Sequence, residues 1–110
     1  MLIKRKLMSK VEKYFIINPK NVKFGTDYDE RIYKIVEKII KIYKQDPEKS
    51  LFIEKGLIEQ QPWSLNFRDK FHIERRTYFA WKEEILRDTV ICAALQGLIV
   101  LDINDLVKDE

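Results

Sequence analysis

Between Tyr28 and Lys44 the apolar residues Tyr28, Ile32, Ile35, Val36, Ile39, Ile42 and Tyr43 recur every three or four positions. Glu30, Arg31, Lys34, Glu37, Lys38, Lys41 and Lys44 take the positions between them. That spacing matches the 3.6-residue turn of an α-helix with one apolar stripe, and the stripe is stable only if other elements cover it. Thr26 offers a capping hydroxyl, and Asp27 and Asp29 put negative charge at the positive end of the helix dipole. A helix over residues 27 to 45 is therefore expected, and the rest of the chain must build the layer that hides its stripe.

The covering elements can be read in turn. Ile3, Leu7, Val11, Tyr14 and Phe15 fall at helical spacing among lysines, and Ser9 followed by Glu12 has the form of a capping box, so a helix is expected over residues 3 to 17. Asn18-Pro19 ends it, because the residue before proline avoids the helical region. Asp46-Pro47-Glu48 opens another helix, near residues 47 to 55, with Gly56 as its left-handed exit. Trp63, Leu65, Phe67, Phe71 and Ile73 alternate with polar residues, which predicts a hairpin turning at Arg68-Asp69-Lys70. The turn has no glycine, so a helix starting near Asn66 is the other reading. Tyr78, Trp81, Ile85, Leu86, Thr89, Cys92, Ala93 and Leu95 fit a buried helix that stops at Gly97. The expected fold is α+β and mostly helical: one domain over residues 1 to 110, with four helices near 3 to 17, 27 to 45, 47 to 55 and 77 to 96, and a β-hairpin between the last two.

The 110-residue length suits one core, and a 45% apolar fraction is that of a globular chain. Cys92 is the only cysteine and lies in the apolar run Val90 to Leu95, so it is expected to be a buried, reduced thiol, as in the cytoplasm. Uninterrupted apolar runs such as Leu98 to Leu101 are far shorter than the ~20 residues that cross a bilayer. The basic N-terminus has no apolar segment of signal-peptide length behind it. No membrane association is expected.

Charge is distributed unevenly. The first 23 residues hold Lys4, Arg5, Lys6, Lys10, Lys13, Lys20 and Lys23 against Glu12 alone, a local balance of +6 in a chain whose total is +3. The far end opposes Asp102, Asp105, Asp109 and Glu110 to Lys108. Cations along a short amphipathic helix can neutralise phosphates and release condensed counterions, which makes nucleic acid the expected partner. A solvated lysine face would have the same sequence signature.

A second candidate is the block from Trp63 to Arg87. Trp63, Phe67, Phe71, Tyr78, Phe79 and Trp81 interleave there with Arg68, Lys70, Arg75, Arg76, Lys82 and Arg87. Aromatic rings stack on bases and cations track a phosphate backbone, while arginine alone can be bidentate to phosphate or guanine. The acids Asp69, Glu74, Glu83 and Glu84 lower the block's balance to +2, and core packing accounts for most of the rings. Arg68, Lys70, Arg75 and Arg76 are the expected phosphate contacts. Trp63 and Trp81 are the expected protein contacts if the chain is instead an adaptor or inhibitor, since tryptophan and arginine are enriched at interface hot spots.

Residues Glu54-Lys55-Gly56-Leu57-Ile58-Glu59 resemble the joint between recognition helix and wing in winged-helix regulators of the MarR type. The resemblance implies DNA binding and a two-stranded wing after Ile58. The chain departs from that pattern at Gln45-Asp46-Pro47, where the usual three- or four-residue turn between helices has no room.

Catalysis is not expected. His72 is the only histidine, so no paired-histidine metal site can form within one chain. The glycines at 25, 56 and 97 are too scattered to cradle a phosphate, and neither Gly-x-Gly-x-x-Gly nor a Walker sequence occurs. No metal and no cofactor are expected. The reading is a small nucleic-acid-binding protein of regulatory type, with a protein-interaction module as the alternative. A homodimer joining the basic head of one subunit to the acidic tail of another is the third expectation.

Overall fold

The computed structural model describes residues 2–3, 5–16, 26–61, 63, 67–68, 72–101 and 106–107. Its helices are α1 (Arg5–Ile16), α2 (Asp27–Tyr43), α3 (Pro47–Phe52) and α4 (Arg75–Leu95), and α3 runs on into one widened π-helical turn, Ile53–Ile58. Two-residue strands, β1 (Leu2–Ile3) and β2 (Leu106–Val107), pair antiparallel, with Leu2 opposite Val107 and Ile3 opposite Leu106. This pairing ties the two ends of the described chain together but is too short to form a layer.

The fold is therefore all-α, and the expected α+β class with a hairpin over residues 57 to 75 is overturned. The helical winding runs through Ile58. Beyond it, the backbone N–H of Arg68 donates to the carbonyl of Trp63 (3.1 Å) and that of Ile73 to the carbonyl of Phe67 (2.7 Å), which are closures of turns within one strand of chain. The alternation misled because period-two patterning requires a sheet face to bury, whereas Trp63 and Phe67 are four residues apart and reach the same helical core. The turn residues Asp69 and Lys70 lie outside the described residues. The six-residue resemblance to a winged-helix joint also fails here, because Glu54 to Ile58 belong to the π-turn and no strand lies between it and α4 among the described residues.

Local chemistry explains the helix boundaries. Thr26 Oγ1 accepts from the Asp29 N–H (3.1 Å) and caps α2; Asp46 Oδ1 accepts from the Lys49 N–H (3.3 Å) and caps α3, with Pro47 at its first position. Gly97 takes φ +75 after α4, and the Leu98 N–H donates to the Ala93 carbonyl (2.9 Å), a Schellman stop. Ser9 and Glu12 do not form a capping box: α1 already begins at Arg5, and both lie inside it. Gly56 is not a left-handed exit either. It sits inside the π-turn, where an added Cβ would lie 2.9 Å from Phe52 Cε2, so the glycine makes room for a ring. Gln60, with φ 54, takes the left-handed conformation instead.

The core draws on every helix: Leu7, Val11 and Phe15 from α1, Ile32, Val36 and Ile39 from α2, Phe52 from α3 and Ile85, Val90 and Ala93 from α4. Phe52 is its aromatic centre, edge-on to Tyr78 (5.1 Å), Phe67 (5.6 Å) and Trp81 (6.0 Å). Thr89, buried in α4, donates its hydroxyl to the Ile85 carbonyl (2.8 Å). Among the described residues four polar ties brace the helices against one another: Tyr14 to Asp29 (2.6 Å) joins α1 to α2, Tyr43 to Asp88 (2.6 Å) joins α2 to α4, Lys49 to Glu84 (2.7 Å) joins α3 to α4, and Glu12 to Lys82 (2.8 Å) joins α1 to α4.

Candidate nucleic-acid interface

The apolar residues of α1 fix which way its cations point. Leu7, Met8, Val11, Tyr14 and Phe15 are buried, so Lys6, Lys10 and Lys13, spaced by four and three residues, form a single exposed strip on the opposite side. Glu12, the one acid of this segment, turns toward α4 and pairs with Lys82 Nζ at 2.8 Å. At 3.6 residues per turn the three lysines lie about 100 to 160° around the helix from Glu12. The strip thus carries no acid of its own. Among the described residues no carboxylate pairs with Lys6 or Lys10, and Lys13 Nζ rests 5.2 Å from the Tyr14 ring centroid. Lys4, Lys20 and Lys23, expected in the same surface, lie outside the described residues.

Arg5 behaves differently from the lysines. It faces α4 and helps line a groove between the two helices together with Met8, Glu12, Phe79, Lys82 and Glu83.

A second cationic region surrounds the start of α4. Arg75 and Arg76 are exposed in its first turn, which contains no acid, so their charges add to the positive end of the helix dipole. The Arg75 guanidinium lies 5.6 Å from the Phe79 ring centroid, and that of exposed Arg68 lies 5.7 Å from the Trp63 ring. Lys70 falls outside the described residues. The Glu12–Lys82 ion pair links α1 to α4 at 2.8 Å.

Trp63 and Trp81 are half-buried. The Trp63 indole N–H donates to the Ile73 carbonyl (2.7 Å), and Trp81 leans edge-on against Phe52. Among the described residues, the exposed apolar side chains include Leu95 at 83%, Val100 at 82%, Ile42 at 52% and Phe79 at 48%. Sequence reasoning placed Leu95 in the buried stripe of its helix and left Phe79 among the core rings. Phe79 follows Tyr78 directly, and neighbours in a helix point about 100° apart. That step, combined with buried Tyr78, is the signal that could have found it.

Among the described residues no group of three His, Cys, Asp or Glu side chains could hold a metal ion, and no helix is long and apolar enough to cross a membrane. Cys92 is half-buried, and His72 is exposed in a left-handed conformation (φ 53). The tyrosines at the two polar ties have altered acidities. Burial, then the hydrogen bond to Asp29, pushes the Tyr14 hydroxyl well above the ordinary tyrosine range; burial and Asp88 do the same to Tyr43. The hydrogen bond from Tyr14 holds the Asp29 carboxyl below its usual value, helped by Thr26 and nearby Lys13.

Comparison with known proteins gives no relative: no family model, no curated protein and no solved structure matches the chain.

Proposed function

We propose that this protein binds nucleic acid, with the exposed lysines of α1 and the arginines at the start of α4 holding phosphates. The observation that carries the reading is the strip of Lys6, Lys10 and Lys13, from which the segment's one acid is turned away by its pairing with Lys82. Seven residues of helix rise about 10 Å, so the strip spans about three phosphates of one strand at 3.4 Å each. Arg75 and Arg76 add guanidiniums that can grip phosphate with two donors.

Titration of labelled DNA and RNA by fluorescence anisotropy tests the proposal. With about four phosphates neutralised, affinity should fall by roughly a hundredfold between 50 and 200 mM salt. Absence of binding to both polymers at about 50 mM salt defeats the proposal.

A protein-interaction role is the second reading, and it is favoured by a different place from the tryptophans. Leu95 and Val100, each more than 80% exposed near the end of α4, are apolar side chains of the kind a partner subunit or protein would cover. Sedimentation at low and high salt separates its forms. An apolar contact persists in salt and is lost in Leu95→Lys, whereas head-to-tail pairing of basic and acidic ends dissolves as salt rises.

A further inference from the structure

We infer that the groove between α1 and α4 receives an unpaired nucleobase stacked against Phe79, so that the protein holds single strands in preference to duplex. This rests on the nucleic-acid reading above and names the form of polymer it implies. The groove encloses about 250 Å³, with Met8, Leu86 and Phe79 supplying its apolar surface. Its charged residues balance, Arg5 and Lys82 against Glu12 and Glu83, and Glu12 and Lys82 satisfy each other at 2.8 Å. A phosphate gains little from an electrically balanced cleft; a neutral, flat ring with polar edges is the better occupant, because its faces meet apolar atoms and its edges meet the rim groups.

Phe79 is built for that contact. It is 48% exposed in a protein whose other described phenylalanines, Phe15, Phe52 and Phe67, are buried. Its ring is held in place by Tyr78 edge-on at 5.1 Å and by the Arg75 guanidinium at 5.6 Å. A strand whose base enters the groove therefore meets Arg75 beside the ring and Arg5 on the α1 wall, neither paired with a carboxylate among the described residues, and both within reach of the flanking phosphates. Aromatic rings bearing arginine neighbours are the general means by which proteins hold unpaired bases, whereas the bases of a duplex are already stacked on one another and cannot reach a ring set inside a cleft.

The test compares a labelled single-stranded oligonucleotide with its duplex, by anisotropy at about 50 mM salt. The single strand should bind the native protein more tightly than the duplex does. Phe79→Leu keeps an apolar side chain of similar bulk but removes the π-face, and should weaken single-strand binding about tenfold while leaving duplex binding unchanged. Phe79→Trp should keep or strengthen it. Circular dichroism confirms that each variant remains folded. If the native protein binds but Phe79→Leu holds the single strand equally well, the groove assignment is wrong and the phosphate-binding strip stands. Failure of the native protein to bind either form removes both. A Lys6→Ala, Lys10→Ala, Lys13→Ala triple variant should lose affinity for single strand and duplex alike, which separates the strip's contribution from the groove's.

Discussion

The two cationic regions carry similar charge but are built in opposite ways. Lys6 and Lys10 of α1 are exposed and pair with no carboxylate among the described residues, with the helix's own acid, Glu12, engaged by Lys82, while Lys13 rests by the Tyr14 ring near Asp29. The arginines at the start of α4 lie on rings, Arg75 over Phe79 and Arg68 over Trp63, and those rings belong to or border the aromatic cluster around Phe52. A free ammonium acts as a hydrated point charge and can follow a phosphate wherever it runs; a guanidinium laid on a ring loses freedom but presents its donors in a set direction. One region suits affinity without geometry, the other a contact at a defined place.

The strongest challenge to this contrast is Phe52→Ala, which removes the ring supporting the arginine side. It should cost about 3 to 5 kcal/mol in urea denaturation, whereas Lys6→Ala should change stability by less than about 0.5 kcal/mol. Comparable losses from both would mean that the lysine strip is as deeply anchored as the arginine end. Next comes Gly56→Ala. Its Cβ meets the same ring at 2.9 Å, and a loss of about 1 to 3 kcal/mol is expected, relieved when combined with Phe52→Leu. A neutral Gly56→Ala would show that the Phe52 ring can move and that the arginine side is not rigid. Tyr43→Phe, which removes the hydroxyl donated to Asp88, should cost about 1 kcal/mol, measured by thermal unfolding.

The smallest effect concerns acid stability on the lysine side. Asp29 has a lowered pKa in the folded protein because Tyr14 and Thr26 donate to it. Its contribution is present at neutral pH, above the unfolded value of 3.8, and is lost as pH falls below that value through the lower folded one. Tyr14→Phe should therefore flatten the acid limb of a stability–pH curve. At the alkaline end the sign reverses. Tyr14 and Tyr43 keep their protons in the folded state while the unfolded chain ionises above pH 10.0, so stability falls as pH rises from there. An unchanged acid limb in Tyr14→Phe would mean that the exposed carboxylate is screened by solvent and that α1 is held to α2 by apolar contact alone.

Local signals were enough to read α2, α3 and the end of α4. Thr26, Asp46 with Pro47, and Gly97 act on backbone groups within a few residues of themselves, so their meaning does not depend on what lies across the core. The stretch from Trp63 to Ile73 was misread because its pattern has two solutions, and only contact with Phe52 and Tyr78 selects the one that buries Phe67. Gly56 shows the same ambiguity: a glycine marks either a turn or a close approach, and here the ring it accommodates is four residues back in its own helix.

For the candidate site, the spacing of Lys6, Lys10 and Lys13 already placed them on one side of an amphipathic helix, since the apolar residues between them had to turn inward. The direction of Glu12 toward Lys82, 70 positions away, the half-exposed Phe79 and the meeting of the two chain ends through β1 and β2 were settled only by tertiary structure. Periodicity and capping report on neighbours within about two helical turns, and charge pairing or exposure across the core depends on how whole helices are laid against each other, which no local pattern encodes.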